Sequence, residues 1–217
     1  SRVPRTERNQ ISAAQKRMWF VCQFAQAGRS YLIPAQFDIQ GQLQPQLLCQ
    51  AIDILVARHE VLRSQYQQDD NGELYLHIST PVSGVCQFTD LSTSDRQQTE
   101  LERIIQANAG TAFDLSTELM LRANLVQLQP QQYVLLLCLH HIAADGWSMD
   151  LLFADLSKLY QQLVQGQQPE QHNPALQYLD YACYLQQSEQ QQQLAAQQDY
   201  WCELLQDVPL VHNLPLD

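Results

Sequence analysis

The chain has 217 residues, which is enough for one large domain or two small ones with a substantial core. Its formal net charge of -11 disfavours nucleic acids and anionic lipid surfaces as partners, and no apolar run approaches the length of a membrane span. The six cysteines form no CxxC pair and lie in apolar contexts, and the first ten residues are polar, so we expect a cytoplasmic protein.

Apolar periodicity and turn residues predict a chain that mixes helices with strands. Residues 1–10 have no apolar periodicity and indicate a linker; 11–206 should form one lobe, and 207–217 should begin a second linker. The predicted elements, in chain order, are a helix from 12, a strand at 31–39, a helix from 45, strands at 61–66, 74–78 and 85–88, a helix at 94–109, a hairpin of strands at 121–128 and 132–139, and helices at 148–163, 174–186 and about 190–205.

The most informative segment is LHHIAADGWS at 139–148, which follows an apolar strand and precedes a predicted helix. Two imidazoles are thereby placed at the edge of a buried sheet, where α/β proteins usually have their active sites. Histidine has an unperturbed pKa near neutrality and can exchange a proton with a nucleophile. We therefore expect a site at His141, with Asp145 four residues further along a tight Asp-Gly turn.

Alternative roles for the same residues need no chemistry. Asp145 can cap the following helix through its carboxylate, and both histidines can be ordinary polar residues at the end of a strand. A zinc site is disfavoured, because adjacent histidines point to opposite faces of a strand and no third ligand has a suitable spacing. The HxxxD spacing alone leaves a structural role open.

Four segments resemble, in order, the signature motifs of the condensation domains of nonribosomal peptide synthetases. They are SAAQKRMW at 12–19, RHEVLR at 58–63, HHIAADGWS at 140–148 and YLDYA at 178–182. The YW pair at 200–201 and the final LPLD at 214–217 also resemble that family. The resemblance implies a chloramphenicol-acetyltransferase-like α/β sandwich, with a mixed sheet flanked by helices. This chain would be its N-terminal lobe, without the C-terminal lobe.

The resemblance implies peptide-bond formation, in which the amine of one aminoacyl thioester attacks an upstream aminoacyl or peptidyl thioester. Both substrates would arrive on the 4′-phosphopantetheine arms of upstream and downstream peptidyl carrier domains, and this chain would bind no cofactor or metal itself. The C-terminal lobe of the same domain and an adjacent adenylation domain would be further partners. The GWS after Asp145 and the paired histidines favour condensation over epimerisation and heterocyclisation.

The resemblance also assigns roles to residues. His141 would orient the amine and act either as its general base or only as a positioning group. His140 would point away into packing, Asp145 would pin the turn by an ion pair or hydrogen bonds, and the Gly146 N–H would donate to an oxyanion. Arg63 would be structural, as an ion-pair partner for a buried carboxylate. Gln15, Arg17 and Trp19 would pack a helix against the core or line a tunnel. The full set comprises catalytic candidates (His141, Asp145, Gly146, His140), substrate-binding residues (Trp147, Ser148) and structural supports (Arg58, Arg63, Gln15, Arg17, Tyr178, Asp180).

Two other functions remain open at this point. A stand-alone acyltransferase of the same fold would use coenzyme A thioesters, although the motifs at 12–19 and 58–63 count against it. A non-catalytic lobe would instead dock carriers or an auxiliary enzyme and keep the histidine motif for structure. For a condensation domain, we expect the single lobe to fold but not to catalyse condensation by itself.

Overall fold

The computed structural model describes residues 2–24, 28–169 and 174–208. Most of the predicted second linker, including the final LPLD, lies outside the described residues. Helices and strands follow one another as α1 (Ala13–Cys22), β1 (Leu32–Gln40), α2 (Pro45–Arg58), β2 (Ser64–Gln68), β3 (Leu74–Ile78), β4 (Cys86–Asp90), α3 (Gln97–Ala109), β5 (Leu121–Gln129), β6 (Gln132–His140), α4 (Gly146–Val164), α5 (Tyr178–Leu185) and α6 (Ser188–Leu204).

Three elements begin three or four residues later than predicted. Glu60–Arg63 is a 3-10 turn, so β2 begins at Ser64. The predicted helix at 94–109 begins only at Gln97. The helix predicted at 174–186 begins only at Tyr178, because Gln177 and Asp180 form a capping box there.

The main sheet has four strands in the order β1-β6-β5-β4. β5 and β6 form the predicted antiparallel hairpin, β1 runs antiparallel to β6, and β4 runs parallel to β5. The sheet is therefore mixed, and the predicted α/β architecture is confirmed. β2 and β3 form a separate two-stranded antiparallel sheet.

Both faces of β6 are covered, so its side chains alternate between apolar clusters on the two faces, and Cys138 enters a third cluster. Leu135, Leu137 and Leu139 contribute to the core that contains the buried residues of α2 and α4. Val134 and Leu136 face the opposite way, toward the core that contains Ile104 of α3. The last two residues of β6, Leu139 and His140, therefore lie on opposite faces of the sheet.

The segment expected to be a linker at the start of the chain packs on the lobe. Its described residues, 2–10, contain no helix or strand, but Asn9 exchanges two backbone hydrogen bonds of 2.9 Å with Leu76 of β3. The Asn9 side chain, which is buried, also donates to the Leu76 carbonyl. These contacts fix the segment as part of the fold.

The final described helix, α6, has a different environment. None of its side chains is buried, and Leu194, Trp201 and Leu204 are each about half exposed. The glutamine-rich stretch that precedes them is a solvated helix, as expected. No helix among the described residues has the length and apolarity needed to cross a bilayer.

Replacing a leucine in the middle of β6 tests whether this lobe is a cooperatively folded unit. Leu137→Ala should lower the free energy of unfolding by about 2–5 kcal/mol, because it leaves a cavity in a closed core. Leu151→Ala is the matched control, since Leu151 is 71% exposed and its loss should change stability by less than about 0.5 kcal/mol. Urea unfolding followed by circular dichroism measures both. Equal effects of the two substitutions would contradict this packing.

Candidate functional site

The candidate site is the loop between β6 and α4. The strand ends at His140, and the backbone N–H of His141 still donates to the Tyr31 carbonyl at 2.9 Å. The Ala143 N–H then donates to the His140 carbonyl at 2.9 Å, which turns the chain toward the start of α4 at Gly146. The loop is consequently short and fixed at both ends.

His140 lies inside the protein. The residue is only 1% exposed. Its Nδ1 accepts a hydrogen bond from the Ile142 N–H at 3.0 Å, and its Nε2 lies 3.6 Å from Sγ of Cys22. Because Nδ1 is an acceptor, the ring proton is on Nε2. Burial, helped by the positive charges of His141 and Arg122, lowers the pKa of His140 to about 4. His140 is thus a neutral packing residue at pH 7.

Its position also sets His140 apart from the other catalytic candidates. The ring meets Phe113 edge-on at 5.8 Å and borders a cavity of about 580 Å³ between α1 and the loop before β5. His140 borders this cavity and is not among the residues that border the pocket of His141. A substrate bound in the pocket of His141 would therefore meet His141 and not His140.

His141 is exposed. It borders a pocket of about 160 Å³, together with residues from α1, the loop, the start of α4 and α5 (Ala14, Gln15, Met18, Ile142, Ala143, Ala144, Asp145, Ser148, Tyr178). Within the described part of the chain, no hydrogen bond occupies either nitrogen of its ring. The imidazole is free to meet a ligand.

Asp145 caps α4. Its Oδ1 accepts hydrogen bonds from the N–H of Ser148 at 2.8 Å and from the Ser148 hydroxyl at 2.6 Å. These two bonds, with a smaller contribution from the charge of His141, hold the pKa of Asp145 below its usual value. Among the described residues Asp145 has no ion-pair partner, so it pins the turn through hydrogen bonds.

The first turn of α4 presents backbone donors beside His141. Gly146 is the first residue of the helix, and no atom lies within 4 Å of the position that a Cβ would occupy there. Among the described residues, its N–H has no acceptor, as is usual for a helix start. Trp147 is 86% exposed, while Ser148 is half-buried and borders the pocket.

A second, apolar groove lies on the other side of Ser148. It has a volume of about 420 Å³, and its walls include Val61, Leu151 and Leu176. Ala143, Ser148 and Tyr178 border both cavities, so they separate the small pocket of His141 from the apolar groove.

The residues of the first motif divide between the inside and the outside of α1. Gln15 is buried, forms a capping box with Ser12, and donates from Nε2 to the Tyr66 hydroxyl at 2.9 Å. Arg17 is exposed, and the expectation that it packs against the core is wrong. Two residues along a helix correspond to a rotation of about 200°, which places Arg17 opposite Gln15.

The arginines of the second motif join neighbouring segments. The Arg58 carbonyl accepts a hydrogen bond of 2.8 Å from Nε2 of Gln177. Arg63 donates from its guanidinium to the Ser79 carbonyl, and burial lowers the pKa of Arg63. Among the described residues, Arg63 does not pair with a carboxylate, so that predicted ion pair is wrong.

The buried carboxylate is instead paired with a residue that the sequence placed in a linker. Arg5 binds both oxygens of Asp180, at 2.6 and 3.1 Å, and also binds Glu60. His59 pairs with Asp155 of α4 at 3.0 Å between Nε2 and Oδ2. No local sequence pattern relates these partners, which are 55, 175 and 96 positions apart in the chain.

The comparison with known sequences adds relatives to this geometry. The profile of the family described as "Condensation domain" matches residues 6–217. The chain is 34% identical over 221 aligned residues to a dimodular nonribosomal peptide synthase of Bacillus subtilis (strain 168), with 100% of this chain and 9% of that protein covered. It is 32% identical over 207 residues to malpinin synthetase of Mortierella alpina, covering 95% of this chain and 3% of that protein.

Solved structures have the same fold. The X-domain from teicoplanin biosynthesis has a TM-score of 0.81 at 27% identity, over 100% of this chain and 47% of that chain. The starter condensation domain of rhizomide synthetase has a TM-score of 0.80 over 94% of this chain and 49% of that chain; at 23% identity, this likeness concerns the fold alone. The chain spans about half of either structure. With a family profile matched over nearly its whole length, it belongs to the condensation-domain family.

Proposed function

We propose that this chain is the N-terminal half of a domain that joins two carrier-bound substrates by a peptide bond. The observation that supports the proposal most strongly is the free imidazole of His141, which lies in a pocket beside the first turn of α4. The family membership supports an acyl transfer to an amine as the reaction.

The reaction requires a neutral amine, and His141 is the group that supplies this need. An α-amine has a pKa of about 8, so it is mostly protonated at pH 7. His141 orients the amine and accepts its proton on a free ring nitrogen as the new C–N bond forms. When the tetrahedral intermediate collapses, the C–S bond of the thioester breaks, and the departing pantetheine thiolate takes up that proton. Holding amine and thioester together contributes several kcal/mol in itself, roughly 7 or more in well-oriented systems.

The N–H groups at the start of α4 stabilise the tetrahedral intermediate. When the amine attacks the thioester carbonyl, negative charge develops on the carbonyl oxygen, and a preorganised N–H donor then binds it more strongly than in the ground state. The N–H of Gly146 has no acceptor among the described residues, and the absence of a side chain leaves room for the thioester. Asp145 maintains this arrangement by capping the helix.

Both substrates are delivered by partners. We infer that upstream and downstream peptidyl carrier domains present them on 4′-phosphopantetheine arms, and that an adjacent adenylation domain selects the amino acid. The C-terminal lobe completes the site, in keeping with a chain that spans 47% of the X-domain structure. The free cysteines support a cytoplasmic setting.

A non-catalytic docking function is the second candidate. It is favoured by one observation. The X-domain from teicoplanin biosynthesis, which resembles this chain at a TM-score of 0.81, has a solved structure in complex with OxyB. A stand-alone acyltransferase that uses coenzyme A is less well supported, because the curated relatives are peptide synthetases. Assays with carrier-bound and coenzyme A-bound donors distinguish the acyltransferase from the condensation domain.

Substituting the two adjacent histidines in the complete domain should have different consequences: one substitution lowers the activity and the other lowers the stability. His141→Ala should lower kcat by about 100- to 10,000-fold, because it removes the proton acceptor, and should leave the melting temperature unchanged. His140→Ala should lower the free energy of unfolding by about 2–4 kcal/mol, because it leaves a cavity and an unpaired Ile142 N–H. Dipeptide formation from loaded carriers and thermal unfolding measure the two effects. Unaltered turnover in His141→Ala would contradict the role of His141, and a wild-type domain that makes no dipeptide would favour the docking function.

The isolated chain should not form peptide bonds. Incubated with two loaded carriers, it should give no dipeptide above the uncatalysed background, because half of the proposed site belongs to the C-terminal lobe. The complete domain under the same conditions is the positive control. Dipeptide detected by mass spectrometry from this chain alone would contradict the assignment of half of the site to the missing lobe.

A further inference from the structure

Arg5 connects the start of the chain to two motif segments that lie far away in sequence. Its guanidinium donates to both carboxylate oxygens of Asp180 in α5, at 2.6 and 3.1 Å. It also lies 2.8 Å from Glu60, which follows α2. The Asp180 side chain is only 2% exposed, and the guanidinium holds the pKa of Asp180 well below its usual value. The pair is therefore ionised and largely shielded from water. We call it the Arg5–Asp180 clamp.

The clamp fixes the N-terminus of α5. Besides Arg5, the Asp180 carboxylate accepts the N–H of Val3 and the N–H of Gln177, both at 2.8 Å. The Gln177 side chain in turn accepts the Glu60 N–H at 3.1 Å. A carboxylate with this many donors has few alternative positions, so the first turn of α5 is held in one place.

Tyr178, the first residue of α5, transmits this position to the site. It lies between Gln177 and Asp180 in the chain, so the clamp determines where its ring is. Its hydroxyl is 3.1 Å from Oγ of Ser12, at the start of α1. Its ring borders both the pocket of His141 and the apolar groove. Moving α5 would therefore change the wall that separates the two cavities.

We propose that Arg5 and Asp180 are positioning residues for the reaction at His141, because their ion pair holds Tyr178 in the wall of the pocket. Neither residue borders that pocket. The inference rests on the proposed function for its kinetic test, but not for its structural test. It gives the first residues of the chain a role at the site.

Hydrogen–deuterium exchange in the complete domain tests the structural half without any turnover. Asp180→Asn and Arg5→Gln should speed the exchange of the amides at 178–181, because the first turn of α5 loses its fixed partner. Arg8→Gln is the matched control: Arg8 belongs to the same segment, but its side chain is 62% exposed and pairs loosely with Asp69 at 3.4 Å. In the Arg8→Gln variant, hydrogen–deuterium exchange at 178–181 should equal that of the wild type.

The kinetic half uses a double-mutant cycle. Asp180→Asn should lower kcat for dipeptide formation by about tenfold or more, while KM for each loaded carrier changes by less than about twofold. Asp180→Asn added to the Tyr178→Ala variant should cause no further loss of kcat, because the clamp then has no ring to position. A general effect on folding would lower activity equally in both backgrounds.

Arg5→Lys keeps the test usable if Asp180→Asn does not fold. Lysine retains the charge but cannot bind both oxygens at once, so the same pattern should appear with a smaller amplitude. Unchanged exchange at 178–181, or an equal loss of kcat with and without the Tyr178 ring, would overturn the inference. A wild-type domain that makes no dipeptide would refute the proposed function instead, and the exchange data would then decide the inference alone.

Discussion

The coverage of β6 on both faces is the constraint on which the site depends. A strand that is buried on both sides has no solvent face, and its alternating side chains must enter one core or the other. His140 is the last residue of that alternation and enters the packing as a neutral ring. His141 follows where the strand has ended; it is exposed and borders a different pocket. The two adjacent histidines therefore differ in burial and in the groups that surround them.

Local patterns in the sequence were sufficient to locate most of the fold. The hairpin of β5 and β6 lies within one residue of its prediction, and the capping box of Ser12 and Gln15 forms both of its reciprocal hydrogen bonds. These features depend on residues that are near one another in sequence. The strand period of two also predicted different surroundings for His140 and His141, and the structure buries the first and exposes the second. The order of the helices and strands could thus be predicted from the sequence, and the assignment of the site to this loop stays a prediction.

The contacts that support the site were not accessible in this way. Arg5 and Asp180 are 175 positions apart, and no periodicity relates them. The polar composition of 1–10 indicated a linker, because its partners lie on other elements. Arg63 was expected to pair with a buried carboxylate, whereas it binds the Ser79 carbonyl and Arg5 takes that place. Charge pairing of this kind depends on tertiary geometry.

The most direct test is to measure the protonation state of His140 by NMR of the isotope-labelled imidazole in the complete domain. We expect the His140 ring to stay neutral with its proton on Nε2 between pH 8 and about 5, since burial lowers its pKa to about 4. A His140 ring that gains a proton near the ordinary histidine value of about 6.5 would contradict the burial on which the division of roles depends. So would a ring with its proton on Nδ1, because the hydrogen bond from Ile142 would then be impossible.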